Sequence, residues 1–117
     1  VEVVLSQVSP VKIGVVLSTD DPETCWNALR YCVKALQGGH RVRLFLLGKG
    51  VELEGLHDPS FDTAGELAKV AKLGGVVQAC GTCLESRHKG GTAACPASSM
   101  ADLLRLTEES DRVLTFG

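Results

Sequence analysis

Apolar positions along the chain alternate between continuous runs and runs spaced three and four apart. Residues 11–18, VKIGVVLS, are mostly apolar and β-branched, as in a strand covered on both faces. In TDDPET, which follows, Asp20 and Glu23 stand at capping-box spacing and Pro22 suits a first helical turn. Cys25, Ala28, Leu29, Cys32, Val33 and Leu36 then recur as one face of a helix, which Gly38-Gly39 ends. RVRLFLL, residues 41–47, predicts a second strand, with Gly48-Lys49-Gly50 as its exit turn. Residues 51–60 show no regular period and predict a loop. Thr63 and Glu66 repeat the capping-box spacing ahead of a helix whose inner face is Leu67, Ala68 and Ala71, closed by Gly74-Gly75.

GVVQA, running into Cys80, predicts a third strand, and residues 81–90 a loop or short helix. Ser99 and Asp102 mark another helix start, with Met100, Leu103, Leu104 and Thr107 on its buried face. RVLTF, residues 112–116, predicts the last strand. Such an order predicts a three-layer α/β/α sandwich around a mainly parallel sheet of four or five strands. All 117 residues are expected to form a single domain. The first ten residues suit an edge strand or a flexible arm.

Composition narrows the function classes. Hydrophobic residues make up 44% and charged residues 22%, an ordinary globular balance. A formal net charge of −2 and the absence of a basic run with interleaved aromatics predict no direct nucleic-acid partner. No apolar run approaches ~18 residues, so no membrane partner is expected. VEVVLSQVSP lacks the basic and apolar regions of a signal peptide. A cytoplasmic location is the resulting expectation. Neither G-x-G-x-x-G nor a P-loop is present, so no nucleotide cofactor is predicted.

Candidate chemistry concentrates in VVQACGTCLESRHKGG, residues 76–91. In open α/β sheets, reactive groups gather beyond the carboxyl ends of strands. Ser18-Thr19-Asp20, Gly48-Lys49, Cys80 to Cys83 and Gly117 share that edge in the predicted topology. A cysteine at a helix start faces unpaired backbone N–H groups, and nearby cations further favour its thiolate. Cys83 has that setting, with Arg87 four residues on and His88 and Lys89 adding charge. Cys80, at the strand end, is the more shielded member of the pair. Cys25 and Cys32, seven apart on an apolar helix face, read as core packing. Cys95, before Pro96 in a loop, is either packed away or drawn towards the CxxC. Asp20 and Asp21 read as helix caps. His40 and His57 read as surface residues, and His88 as either a solvated or a functional one.

A CxxC in a reducing compartment points to catalysis or metal binding rather than a structural disulfide. Four readings therefore compete. The pair is a sulfur carrier, a thiol-disulfide or redox-sensing module, part of a metal site with Cys95 and His88, or packing in an assembly subunit. Zinc would accept the third set, but the usual second CxxC or HxxxH is missing.

From KIGVVLSTDDPE to LLRLTEESDRVLTFG, the chain resembles the DsrE/DsrF-like family, which includes subunits of the Tus sulfur relay. ACGTCLESR at residues 79–87 and CPASSMADLL at residues 95–104 carry the resemblance most specifically. It implies a small doubly wound α/β domain that assembles into homotrimers or hexamers. It also implies a cysteine persulfide passed between sulfur-donor and sulfur-acceptor proteins, a transfer that needs no cofactor. Cys83, followed by Arg87 and Gly90, matches the family's active cysteine. Cys80 and Cys95 match extra thiols of a CGxC subset. His88-Lys89, between the arginine and the glycine, departs from the family pattern.

Overall fold

The computed structural model describes residues 8–117. The edge strand or arm expected at residues 1–10 lies outside them for residues 1–7, and residues 8–10 form no strand. In chain order the elements are β1 (Lys12–Leu17), α1 (Pro22–Gln37), β2 (Arg41–Leu46), a 3-10 helix (Gly48–Gly55), α2 (Thr63–Lys72) and β3 (Val76–Cys80). The short α3 (Gly81–Glu85), β4 (Ala97–Ser98), α4 (Met100–Glu109) and β5 (Arg112–Phe116) follow. Five parallel strands form one sheet in the order β4-β3-β2-β1-β5. The chain steps outward from β1 to β4, then returns to the other side of β1 as β5. That is the doubly wound pattern expected of alternating strands and helices.

The central strands are continuous apolar runs because both of their faces are covered. Val15, Leu17, Leu44, Phe45 and Leu46 are fully buried, and each such side chain contributes about 1.5–3 kcal/mol through burial. Cys25, Ala28, Leu29 and Cys32 of α1 supply one covering layer, with α2 alongside through Leu67 and Val70. On the opposite face α4 lies directly over Gly14 of β1, where any Cβ would collide with the buried Leu106. Gly14 thus permits a closer helix-to-sheet approach than a larger residue would.

Several local expectations are corrected. The inner face of α2 is Thr63, Leu67 and Val70 rather than Leu67, Ala68 and Ala71, and α4 buries Leu106 while Met100 and Leu104, expected inside, are exposed. Of the two acids expected to cap α1, Asp21 does so, its carboxylate accepting the Thr24 N–H at 2.9 Å. Asp62, one residue before Thr63, caps α2 by accepting the Gly65 N–H at 2.9 Å. At α2 the acid next to the expected residue reached the free N–H groups of the first turn. A further correction concerns residues 48–55, which form a 3-10 helix rather than an exit turn and a loop. Its short turns need little periodicity, so the pattern of apolar residues did not reveal it. At Ser99 and Asp102 the capping box forms as expected. The two-residue β4 was not anticipated; it pairs with the end of β3 through Ala79↔Ala97 and Cys80↔Ser98.

Gly50 holds the 3-10 helix against the end of β1, since a Cβ there would run into the Leu17 carbonyl. Gly50→Ala is therefore expected to destabilise the fold by about 1–3 kcal/mol. A urea denaturation midpoint equal to the parent's would show that the backbone there has slack.

Candidate active site

β2 and β3 are in register through Leu46↔Ala79, so their carboxyl ends emerge side by side. The chain leaving β2 starts the 3-10 helix at Gly48, whose φ is +55°, a conformation open to glycine at little cost. The chain leaving β3 turns at Gly81 into α3 and places Cys83 in its first turn. The two segments meet at sulfur: the Gly48 N–H donates to Cys83 Sγ at 3.2 Å. The Cys80 side chain is also hydrogen-bonded to Cys83. Cys83 is half-buried, whereas Cys25, Cys32, Cys80 and Cys95 are buried.

Arg87 lies just beyond α3 and turns to the backbone. Its guanidinium donates to the Cys83 carbonyl at 3.1 Å, and Glu52 of the 3-10 helix stands 3.6 Å from Nε. His88 takes a left-handed conformation, φ +55°, which returns the chain so that the Lys89 N–H reaches the Leu84 carbonyl at 2.9 Å. The Lys89 ammonium then also pairs with Glu52. That ion pair, and Arg87 after it, hold the Glu52 carboxyl below its ordinary range. Glu52 therefore partly neutralises the cations expected to act on Cys83, and ties the two loops together.

The other thiols differ in setting. Burial, then the hydrogen bond to Cys83, pushes the Cys80 thiol up, although the Cys83 and Thr82 N–H groups oppose this. Cys95 lines a separate cavity of about 380 Å³ with Val51, Leu84 and Lys89, and neither Cys80 nor Cys83 lines it. Burial and the facing Glu54 carboxylate push its thiol up to about 12. Glu54 also accepts the Thr92 hydroxyl at 2.7 Å, and that hydroxyl accepts the Cys95 N–H at 3.0 Å. Cys25 donates to the Thr19 carbonyl at 3.3 Å. Among the described residues, no group of three or more His, Cys, Asp or Glu side chains is arranged to hold a metal.

The carboxyl ends of β1 and β5 are closed on each other, with the Ser18 N–H donating to the Phe116 carbonyl at 3.0 Å. The thiols thus sit at the end of β3, away from the crevice between β1 and β5 where the strand order reverses. Sequence reasoning placed Gly48 on the same edge as the CxxC but missed its N–H as a donor to sulfur, and it missed Glu52 and Glu54 as neighbours of these thiols. A backbone donor leaves no residue-type signal, and the two acids lay in a stretch without periodicity.

Buried thiols make stability sensitive to alkali. Desolvation raises Cys32 from 9.0 to about 12, and raises Cys25, with Asp21 and Asp20 adding repulsion, to about 11. Above pH 9.0 the unfolded chain releases these protons while the folded chain keeps them. Their contribution is complete below pH 9.0 and is lost as pH rises towards about 12. Urea midpoints measured across that range are expected to fall, and less steeply in Cys32→Ala. A decline equally steep in the variant would remove Cys32 from the account.

No family model matches the sequence. The chain is 34% identical over 110 residues to the uncharacterized protein MJ0989 of Methanocaldococcus jannaschii, covering 86% of this chain and 96% of that protein. It is 31% identical over 100 residues to the uncharacterized protein MK0008 of Methanopyrus kandleri, covering 80% and 83% respectively. Among solved structures, the ychN protein from E. coli superposes with a TM-score of 0.76 at 23% identity, over 92% of this chain and 100% of that one. A conserved protein of unknown function from Bacteroides thetaiotaomicron, BT1422, gives 0.71 at 18% identity, over 89% and 93%. Both neighbours have the DsrE/DsrF-like fold, and at these identities the likeness is one of fold.

Proposed function

The chain belongs to the family of the archaeal protein MJ0989, and from that footing and its own thiols we propose that it is a sulfur carrier acting through Cys83. The observation that carries this reading is the placement of Cys83. It is the half-buried thiol among five and sits at the carboxyl edge of the sheet with the Gly48 N–H directed at its sulfur. A carrier needs a sulfur that a second protein can reach, with donors placed to hold negative charge on it.

The chemistry balances without a cofactor. The Cys83 thiolate attacks the terminal sulfur of a donor protein's persulfide. The donor's S–S bond breaks, and the donor leaves as a thiolate. Cys83 then carries the sulfane sulfur until an acceptor protein's nucleophile attacks it, which regenerates the Cys83 thiolate. Cys80 offers a side exit: its thiolate attacks the inner sulfur of the persulfide, forms a Cys80–Cys83 disulfide and expels hydrosulfide. Burial raises the Cys80 thiol, so at neutral pH that exit is slow and the cargo is held. The raised thiol also counts against rapid disulfide exchange as the main activity. Arg87, through the Cys83 carbonyl, acts as a positioning residue for the turn. Cys95, held protonated beside Glu54 in its separate cavity, takes no part in this transfer.

Treatment with a cysteine desulfurase and cysteine is expected to add the mass of one sulfur to Cys83, and none to Cys83→Ser. In Cys80→Ser the adduct should outlast the parent's, with the difference widening as pH rises and Cys80 ionises. An adduct on another cysteine, or on none with an active donor, would end the proposal.

A homotrimer or hexamer is part of the same reading. Its support is apolar surface on and beside α4: Met100 is 61% exposed, Leu104 59% and Val113 41%. Met100 and Leu104 stand one helical turn apart, and burying them against another copy would remove apolar area from water. Sedimentation should find a trimer or larger assembly, reduced towards monomer by Leu104→Glu. A monomeric parent would refute it.

A further inference from the structure

A second site lies at the opposite pole, where the strands begin. A cavity of about 430 Å³ opens there between the amino ends of β1 and β2 and the ends of α1 and α2, within the size range of small-molecule sites. Lys12, His40, Arg41 and Arg43 all line it. The one carboxylate in the lining, Glu109, is already engaged by Arg43 at 2.8 Å. Among the described residues, the Lys12 ammonium and the Arg41 guanidinium have no hydrogen-bond or ion-pair partner.

His40 adds a donor of fixed kind. Its Nδ1 accepts the Val11 N–H at 3.1 Å, so in the neutral ring the proton sits on Nε2. Apart from the Ser110 hydroxyl, the polar side chains left unengaged are thus donors or cations. A simpler role for the cations would be to complement the negative ends of α1 and α2. Three carbonyls at each of those ends are already taken by backbone donors, and neither Lys12 nor Arg41 donates to any of them. Lys34, Leu36 and Ala35 accept from Gly38, Gly39 and His40, and Lys69, Ala71 and Val70 accept from Leu73, Gly74 and Gly75.

The remaining wall is apolar. Leu36 contributes to it, and Leu73 and Val76 are 44% and 49% exposed. We propose that this cavity binds a small organic anion, a phosphate or carboxylate headgroup on an apolar body. The headgroup is held by Lys12, Arg41 and His40, and the body lies against Leu36, Leu73 and Val76. The site is independent of Cys83, so loss of one leaves the other untouched.

Titration of the isotope-labelled 117-residue chain with n-hexyl phosphate tests this by amide chemical shifts. Shift changes are expected at residues 12, 40–43 and 73–76, with inorganic phosphate binding more weakly and n-hexylamine not competing. Arg41→Gln removes an exposed, unpartnered cation and should weaken hexyl phosphate binding about tenfold. Lys12→Gln provides the second variant should Arg41→Gln fold poorly. Hexanoate in a parallel titration separates a carboxylate preference from a phosphate one. No shifts, shifts confined elsewhere, equal competition by n-hexylamine, or unchanged affinity in both variants would each overturn the proposal.

Discussion

The alignment of β2 with β3 governs the chemistry available to this chain. With Leu46 opposite Ala79, the two strands end level, and their exits are forced into contact. One exit supplies a backbone N–H at Gly48; the other supplies the Cys83 sulfur 3.2 Å away. A slip of one residue would turn each side chain of β3 to the other face, carrying Cys80 away from its partner. The site is thus a consequence of sheet register before it is a consequence of cysteine placement.

Around that contact the protein separates its five thiols by environment. Cys25 and Cys32 complete the layer between α1 and the sheet, where desolvation keeps them protonated. Cys95 is protonated for a further reason, the carboxylate of Glu54. Cys83 alone stands at an edge that another protein could approach. Glu52 joins the 3-10 helix to the chain beyond α3 through Arg87 and Lys89. It rigidifies the edge while reducing the positive charge around the sulfur. Backbone donors, which salt screens less than exposed cations, are left nearest to the reactive atom.

The two poles of the sheet divide the remaining chemistry. Helices begin at the carboxyl pole, so Asp21, Asp62 and Asp102 gather there as caps and first-turn acids. Helices end at the amino pole, where Lys12, Arg41 and Arg43 line a cavity and most of the nearby helix-end carbonyls accept from backbone N–H groups. The residual positive charge at that pole is what gives the cavity its preference for an anion.

Much of the architecture could be read from the order of residues alone. Continuous β-branched runs and helical spacing of apolar positions specify strands and helices through local sterics and burial. The α1 span, the β5 span and the Ser99–Asp102 capping box accordingly lie where the pattern put them. The same patterning singled out Cys80 and Cys83 at a strand end and assigned Cys25 and Cys32 to the core. Tertiary structure decided the rest, because it depends on contacts between residues far apart in the chain. Gly48 and Cys83 are 35 residues apart, and Glu52 and Lys89 are 37. The 3-10 helix, the diversion of Arg87 to a carbonyl and the seclusion of Cys95 arise from how two loops pack together. A linear pattern places strand exits on a common edge, but does not say which atoms meet there, nor which positions of a helix face the core: Met100 and Leu104, expected inside, are exposed.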